Sequence, residues 1–112
     1  MDAILALEQK AVDFARRGEF GSDARSINEE LTQRTPDNQG AWTRLARCCL
    51  ELGQYDAASA ALESALLLNP QNNLARSLLQ EVIRRELLAA TPEPDELPAP
   101  RVKKPRSKKS TA

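Results

Sequence analysis

The chain contains no histidine. That removes the commonest general base and the commonest zinc ligand, so catalytic and metal-dependent chemistry lose their usual residues. Its two cysteines, Cys48 and Cys49, are adjacent. Neighbours on a helix point about 100° apart, which disfavours a disulfide, and the pair lacks the C-x-x-C spacing of a zinc or redox site. Both are expected to be reduced and to act as small apolar side chains. Aromatic residues make up only 4% of the 112, and the four scattered glycines form no phosphate-binding loop. No Ser, Lys or carboxylate pair has a diagnostic spacing. A non-enzymatic protein is expected, with no cofactor, no metal and no small-molecule substrate. No apolar run approaches the roughly 20 residues that cross a bilayer, and Met1-Asp2-Ala3 opens without a basic leader, which predicts a cytoplasmic protein away from the membrane.

What is present favours helices. Alanine and leucine are abundant and β-branched residues sparse, and unbranched side chains lose little rotamer freedom in a helix. The length suits one small domain. Formal charge is zero, yet residues 1–88 carry 10 basic and 13 acidic residues while 101–112 carry 6 basic and none acidic. Between them, residues 91–100 read TPEPDELPAP, an acidic, proline-rich stretch that blocks helix continuation. The expected organisation is a helical domain over 1–88 followed by a disordered tail over 90–112. In that tail Arg101, Lys103, Lys104, Arg106, Lys108 and Lys109 could meet phosphates in a salt-dependent way. No aromatic residue lies among them to stack on a base. A nucleic-acid-associated protein is therefore the alternative function, set against a tail that merely solubilises.

Periodicity carries more information. Residues 39–72 read QGAWTRLARCCLELGQYDAASAALESALLLNPQN. Leu45, Cys49 and Leu52 form one helical stripe; Gly53 supplies a left-handed stop; Asp56 is the expected N-cap-region residue of a second helix, along which Ala58, Leu62, Ala65 and Leu66 recur; Pro70 ends it. A fainter copy precedes it. A shift of 35 residues lays Leu7, Ala11, Phe14, Gly18 and Phe20 on Trp42, Ala46, Cys49, Gly53 and Tyr55, and a shift of 34 lays Ala24, Leu31 and Pro36 on Ala58, Ala65 and Pro70. One residue is inserted near Gly21-Ser22. Lys10 and Asn28, in the places of Leu45 and Leu62, depart from the pattern.

The spacing of Trp42, Leu45, Ala58 and Pro70 resembles the tetratricopeptide repeat (TPR), whose pattern runs W-x₂-L-G-x₂-Y…A-x₃-F…P over 34 residues. Ala46, Cys49 and Leu62 stand where that pattern has Gly, Tyr and Phe. The resemblance implies an all-α solenoid: repeat 1 over about 3–37, repeat 2 over about 39–72, and a capping helix over about 73–89 with Leu74, Leu78, Leu79, Val82 and Ile83 as its apolar positions. Trp42 is then expected in the core and Tyr55 in the turn.

The resemblance also implies what the domain does. In this family the first helices of successive hairpins line a groove that holds a peptide or helix of a partner protein, as in adaptors and chaperone-like subunits. Carried over by alignment, that groove comprises Glu8, Val12, Ala15, Thr43, Arg47, Leu50, Ser77, Glu81 and Arg84. The chaperone-binding subgroup uses a Lys/Asn/Arg clamp on a carboxylate. Its places are held here by Glu8, Val12, Arg44, Leu74 and Leu78, of which Arg44 alone is chemically similar, which argues against that specificity. Arg44 and Arg47 are expected either on a solvated helix face or anchoring a ligand. Such arrays need about three repeats for stability. Two repeats and one helix predict a homodimer or a fold completed by a partner, with Leu74 and Leu78 at the interface.

Overall fold

The computed structural model describes residues 3–90. Five helices follow in order: α1 Ala3–Arg16, α2 Ser22–Arg34, α3 Gln39–Glu51, α4 Tyr55–Leu68 and α5 Asn73–Ala90. No strand occurs among the described residues. Sequential helices pack as neighbours, and α3 also touches α1 and α5. The result is two helical hairpins and a fifth helix in which α1, α3 and α5 lie side by side.

The turns show why the chain folds this way and why the fainter repeat is a true copy. Gly18 and Gly53 both have positive φ, 70° and 76°, a region where a Cβ is penalised. After each, the next amide reaches back five residues: Glu19 N–H donates to Phe14 O at 2.9 Å and Gln54 N–H to Cys49 O at 2.8 Å, the closing bond of a Schellman cap. The turns between hairpins repeat as well. Thr35 N–H donates to Leu31 O and Asn69 N–H to Ala65 O, then Asn38 N–H to Thr35 O and Asn72 N–H to Asn69 O. Asn38 and Asn72 next serve as N-caps, their Oδ1 atoms accepting from Ala41 N–H at 3.1 Å and Ala75 N–H at 3.0 Å. Periodicity had left both caps unnoticed.

Within the hairpins, eight of the fifteen buried apolar residues are alanines, so the helices can approach at the short end of the usual 8–10 Å range. Leu45, Leu62, Ala65, Ala75 and Val82 anchor a core shared by α3, α4 and α5; Ala11, Leu31 and Ala41 anchor a smaller one between α1, α2 and α3. Trp42 packs half-buried on the larger cluster, and its Nε1–H donates to Pro36 O at 2.7 Å, strapping the preceding turn to α3. Tyr55 opens α4 and packs on the same cluster.

Three expectations need correction. Leu52 is the C-cap of α3 and 40% exposed, because the helix ends before its stripe can reach the core. The N-cap of α4 is Gln54, without a side-chain bond, and Asp56 sits in the first turn, where it favours the helix dipole instead. On α5, Val82 is buried but Ile83 is 48% exposed, since no helix packs on the outer side of α5 among the described residues; Leu74, expected at an interface, is 57% exposed. The residues expected to form a basic tail lie outside the described residues.

Candidate functional site

The side-by-side placement of α1, α3 and α5 creates one continuous surface, and its side chains decide what the surface can do. The register of the repeats places Leu5, Gly40 and Leu74 at equivalent points near the starts of these three helices. Leu5 and Leu74 are exposed and give that end of the face an aliphatic character. The other end is charged. Ser77 and Arg84 are exposed and Glu81 is half-buried. The Glu81 carboxylate accepts from Arg85 Nε at 2.7 Å and from Arg84 Nε at 3.2 Å. The Arg85 guanidinium, with Arg84 beside it, holds the Glu81 carboxyl below its ordinary pKa. Two guanidiniums share one carboxylate, leaving this corner with a positive excess.

The middle of the face differs from expectation. Thr43 and Leu50, both expected to face the groove, are only 6% and 3% exposed. Thr43 donates to Gly40 O at 3.0 Å within its own helix, and Leu50 belongs to the core. Flanked by α1 on one side and α5 on the other, α3 has Thr43 and Leu50 covered by its neighbours, while Arg47 stays exposed. Val12 and Ala15 on α1 are half-buried.

Arg44 takes neither of the roles expected of it. Its side chain is 16% exposed, with Nε donating to Asn28 Oδ1 and Nη2 to Glu8 Oε1, both at 3.0 Å. Glu8 Oε1 also accepts from Asn38 Nδ2 at 2.9 Å, and Asn28 Nδ2 donates to Ala24 O at 2.9 Å. One network thus joins α1, α2, the N-cap of α3 and α3 itself. Asn28, a departure from the repeat pattern, is the acceptor that a buried guanidinium requires. Gly40 makes the room: a Cβ there would lie 2.9 Å from Arg44 Nη1. The second joint solves the same problem without polarity. The residues equivalent to Asn28 and Arg44 are Leu62 and Leu78, and Leu78 packs on the apolar cluster that contains Leu62. Leu78 is therefore a joint residue, half-buried, whereas Leu74 is open to solvent.

Arg47 remains accessible. Its guanidinium lies over the Phe20 ring, 4.6 Å from the centroid, while its ion pair with Glu51, at 3.8 Å, is too long for a hydrogen bond. In the repeat pattern Phe20 is only the counterpart of Tyr55. Nothing in a one-dimensional pattern pairs it with a residue 27 positions away.

Among the described residues no nucleophile stands out. Cys48 and Cys49 are free and buried. Burial, then the neighbouring Cys49, pushes the Cys48 thiol up to about 11, and burial also raises Cys49. Both stay protonated at neutral pH and are poor attackers. Among the described residues no group of His, Cys, Asp or Glu is arranged to hold a metal ion, and no helix is long and apolar enough to cross a membrane.

Stacked antiparallel helix pairs, capped alike at every turn and presenting their first helices along one face, define an α-solenoid. A family model described as tetratricopeptide repeat matches residues 21–82, which is more than half the chain. The chain belongs to the TPR family. The match runs from the start of α2 into α5, so α1 joins the array through the repeated turn geometry. No curated protein matches the chain. Repeats of this family mediate protein–protein interaction, and the family is typically a non-enzymatic scaffold.

Proposed function

We propose that this protein is an adaptor or chaperone-like TPR subunit whose α1–α3–α5 face receives a peptide or helix of a partner protein. One observation carries the reading. Three first helices lie in contact and display an aliphatic end at Leu5 and Leu74 and a cationic end at Arg47, Arg84 and Arg85, with few buried polar groups left unpaired. The binding residues are then Leu5, Leu74, Arg47, Ser77, Glu81 and Arg84, with Glu8 and Arg44 holding the face in shape beneath them.

A photo-cross-linking amino acid at Ser77, compared with one at exposed Glu63 on α4, tests this in the cells that make the protein. Products from Ser77 and none from Glu63 are expected. Products from Glu63 alone would move the partner to the opposite face.

A second reading rests on the six basic residues of 101–112. If they supply affinity for nucleic acid, a version ending at Ala90 loses salt-dependent DNA and RNA binding. Equal binding by both versions removes that reading.

A further inference from the structure

A cleft of about 390 Å³ opens between the first turn and the end of α3, lined by Gly18, Phe20, Gly21, Arg47, Glu51 and Leu52. Its origin is visible in the sequence. The first turn has five residues between α1 and α2 where the second has three between α3 and α4, and Phe20 lies within it, under Arg47. At both glycines the space beside the backbone is open, since a Cβ built on either one meets nothing within 4 Å.

We infer that this cleft seats a single carboxylate side chain of the partner segment, flanked by an aliphatic neighbour. The inference rests on the concave-face reading for the path of that segment. Four observations converge. The guanidinium of Arg47 is held in place by the Phe20 ring, so it meets an anion already oriented. Its donors are not committed to Glu51, which is 3.8 Å away, whereas Arg44 is spent on Asn28 and Glu8 and Arg85 on Glu81. Gly21 is also the N-cap of α2 and offers no side-chain bond to the first-turn amides, so the positive end of the α2 dipole borders the cleft. Phe20, half-buried, and Leu52, 40% exposed, form the apolar wall for the neighbouring side chain. Glu51, which also lines the cleft, sets the selectivity. It repels a second charge, so one acid beside an aliphatic residue is preferred over an acidic run.

The test is a ¹H–¹⁵N titration of the full chain with acetyl-Gly-Leu-Glu-Leu-Gly-amide and with its Gln analogue. Saturable shifts at the amides of Gly18 and Gly21 and at Arg47 Nε are expected. The Gln peptide should bind about tenfold more weakly, the size of one charge-assisted contact. Gly21→Leu fills the cleft from a backbone at φ −91°, ψ −161° that any residue adopts, so it should keep the dispersed spectrum and lose the shifts. Arg47→Gln, a change at the surface, should lose them independently. Equal affinity for the two peptides, or wild-type titration by both variants, overturns the assignment. Shifts at Ser77 and Arg84 with Gly18 and Gly21 unmoved also overturn it while leaving the concave-face reading intact. Shifts confined to the cleft support it even if Ser77 yields no cross-links.

Discussion

Replacing Asn28 and Arg44 together should restore what replacing either one destroys. The Arg44→Leu change strips the donor from Asn28 Oδ1, on a residue that is 1% exposed. A buried acceptor without a partner costs about 1–3 kcal/mol. Glu8 is better placed: its side chain is 33% exposed and keeps the Asn38 donor, so the lost ion pair adds less than about 1 kcal/mol after solvent screening. Some of this is offset by the added apolar area, leaving a net loss of about 2 kcal/mol. Asn28→Leu instead leaves Arg44 Nε without its acceptor in a largely covered position, at a cost of about 1–2 kcal/mol. The double variant installs the leucine pair already present at Leu62 and Leu78 and removes both polar partners together, a change that is close to neutral where shapes match. It should lie within about 1 kcal/mol of the wild type. Urea unfolding followed by circular dichroism measures this, with Trp42 fluorescence as a second probe of two-state behaviour. With a slope of about 1–1.5 kcal/mol/M for a domain this small, each single change lowers the midpoint by about 0.7–2 M. Additive losses in the double variant would refute the claim that the network is one unit.

Three further outcomes follow from the same geometry. Gly40→Ala should be neutral or harmful in the wild type, where its Cβ crowds the Arg44 guanidinium, yet stabilise an Arg44→Leu background by about 0.5 kcal/mol through helix propensity; urea midpoints in the two backgrounds decide it. Gly53→Ala, at φ 76°, should cost about 1–2 kcal/mol, while Gly21→Ala, at an N-cap with extended backbone, should cost less, about 0.5 kcal/mol, in thermal melts. Finally, burial keeps the Cys48 thiol protonated up to about pH 11, against 9.0 in the unfolded chain. The folded state then binds the extra proton between those values, so stability is full below pH 9 and falls as pH rises toward 11. Cys48→Ala should flatten that decline in pH-dependent unfolding, and an unchanged slope would place the titration elsewhere.

The helices, their order and the two glycine stops were legible because each rests on local chemistry: apolar spacing, positive φ, proline in the turn. The site was legible only in outline. Alignment could name the positions on α3, but the burial of Thr43 and Leu50 follows from α1 and α5 closing on both sides, which is a property of the array. Asn28 looked like decay of the repeat because its meaning lies 16 residues away in Arg44. Arg47 is legible as a cation on α3, yet the ring beneath it comes from the preceding turn, which the repeat pattern does not pair with it.

The repeated Asn38 and Asn72 turns bear on how such a chain can lengthen. A tandem duplication of residues 38–71 would bring its own cap, its own proline turn and, through the Asn72-to-Gln39 bond at 3.2 Å, its own link back to the preceding first helix. The Arg44 of the inserted copy would be stranded, since Leu62 and Thr43 would stand where Asn28 and Glu8 do. Growth of this array by copying is therefore conditional: a new unit fits its neighbours after that arginine becomes leucine, and the polar joint marks the original first junction.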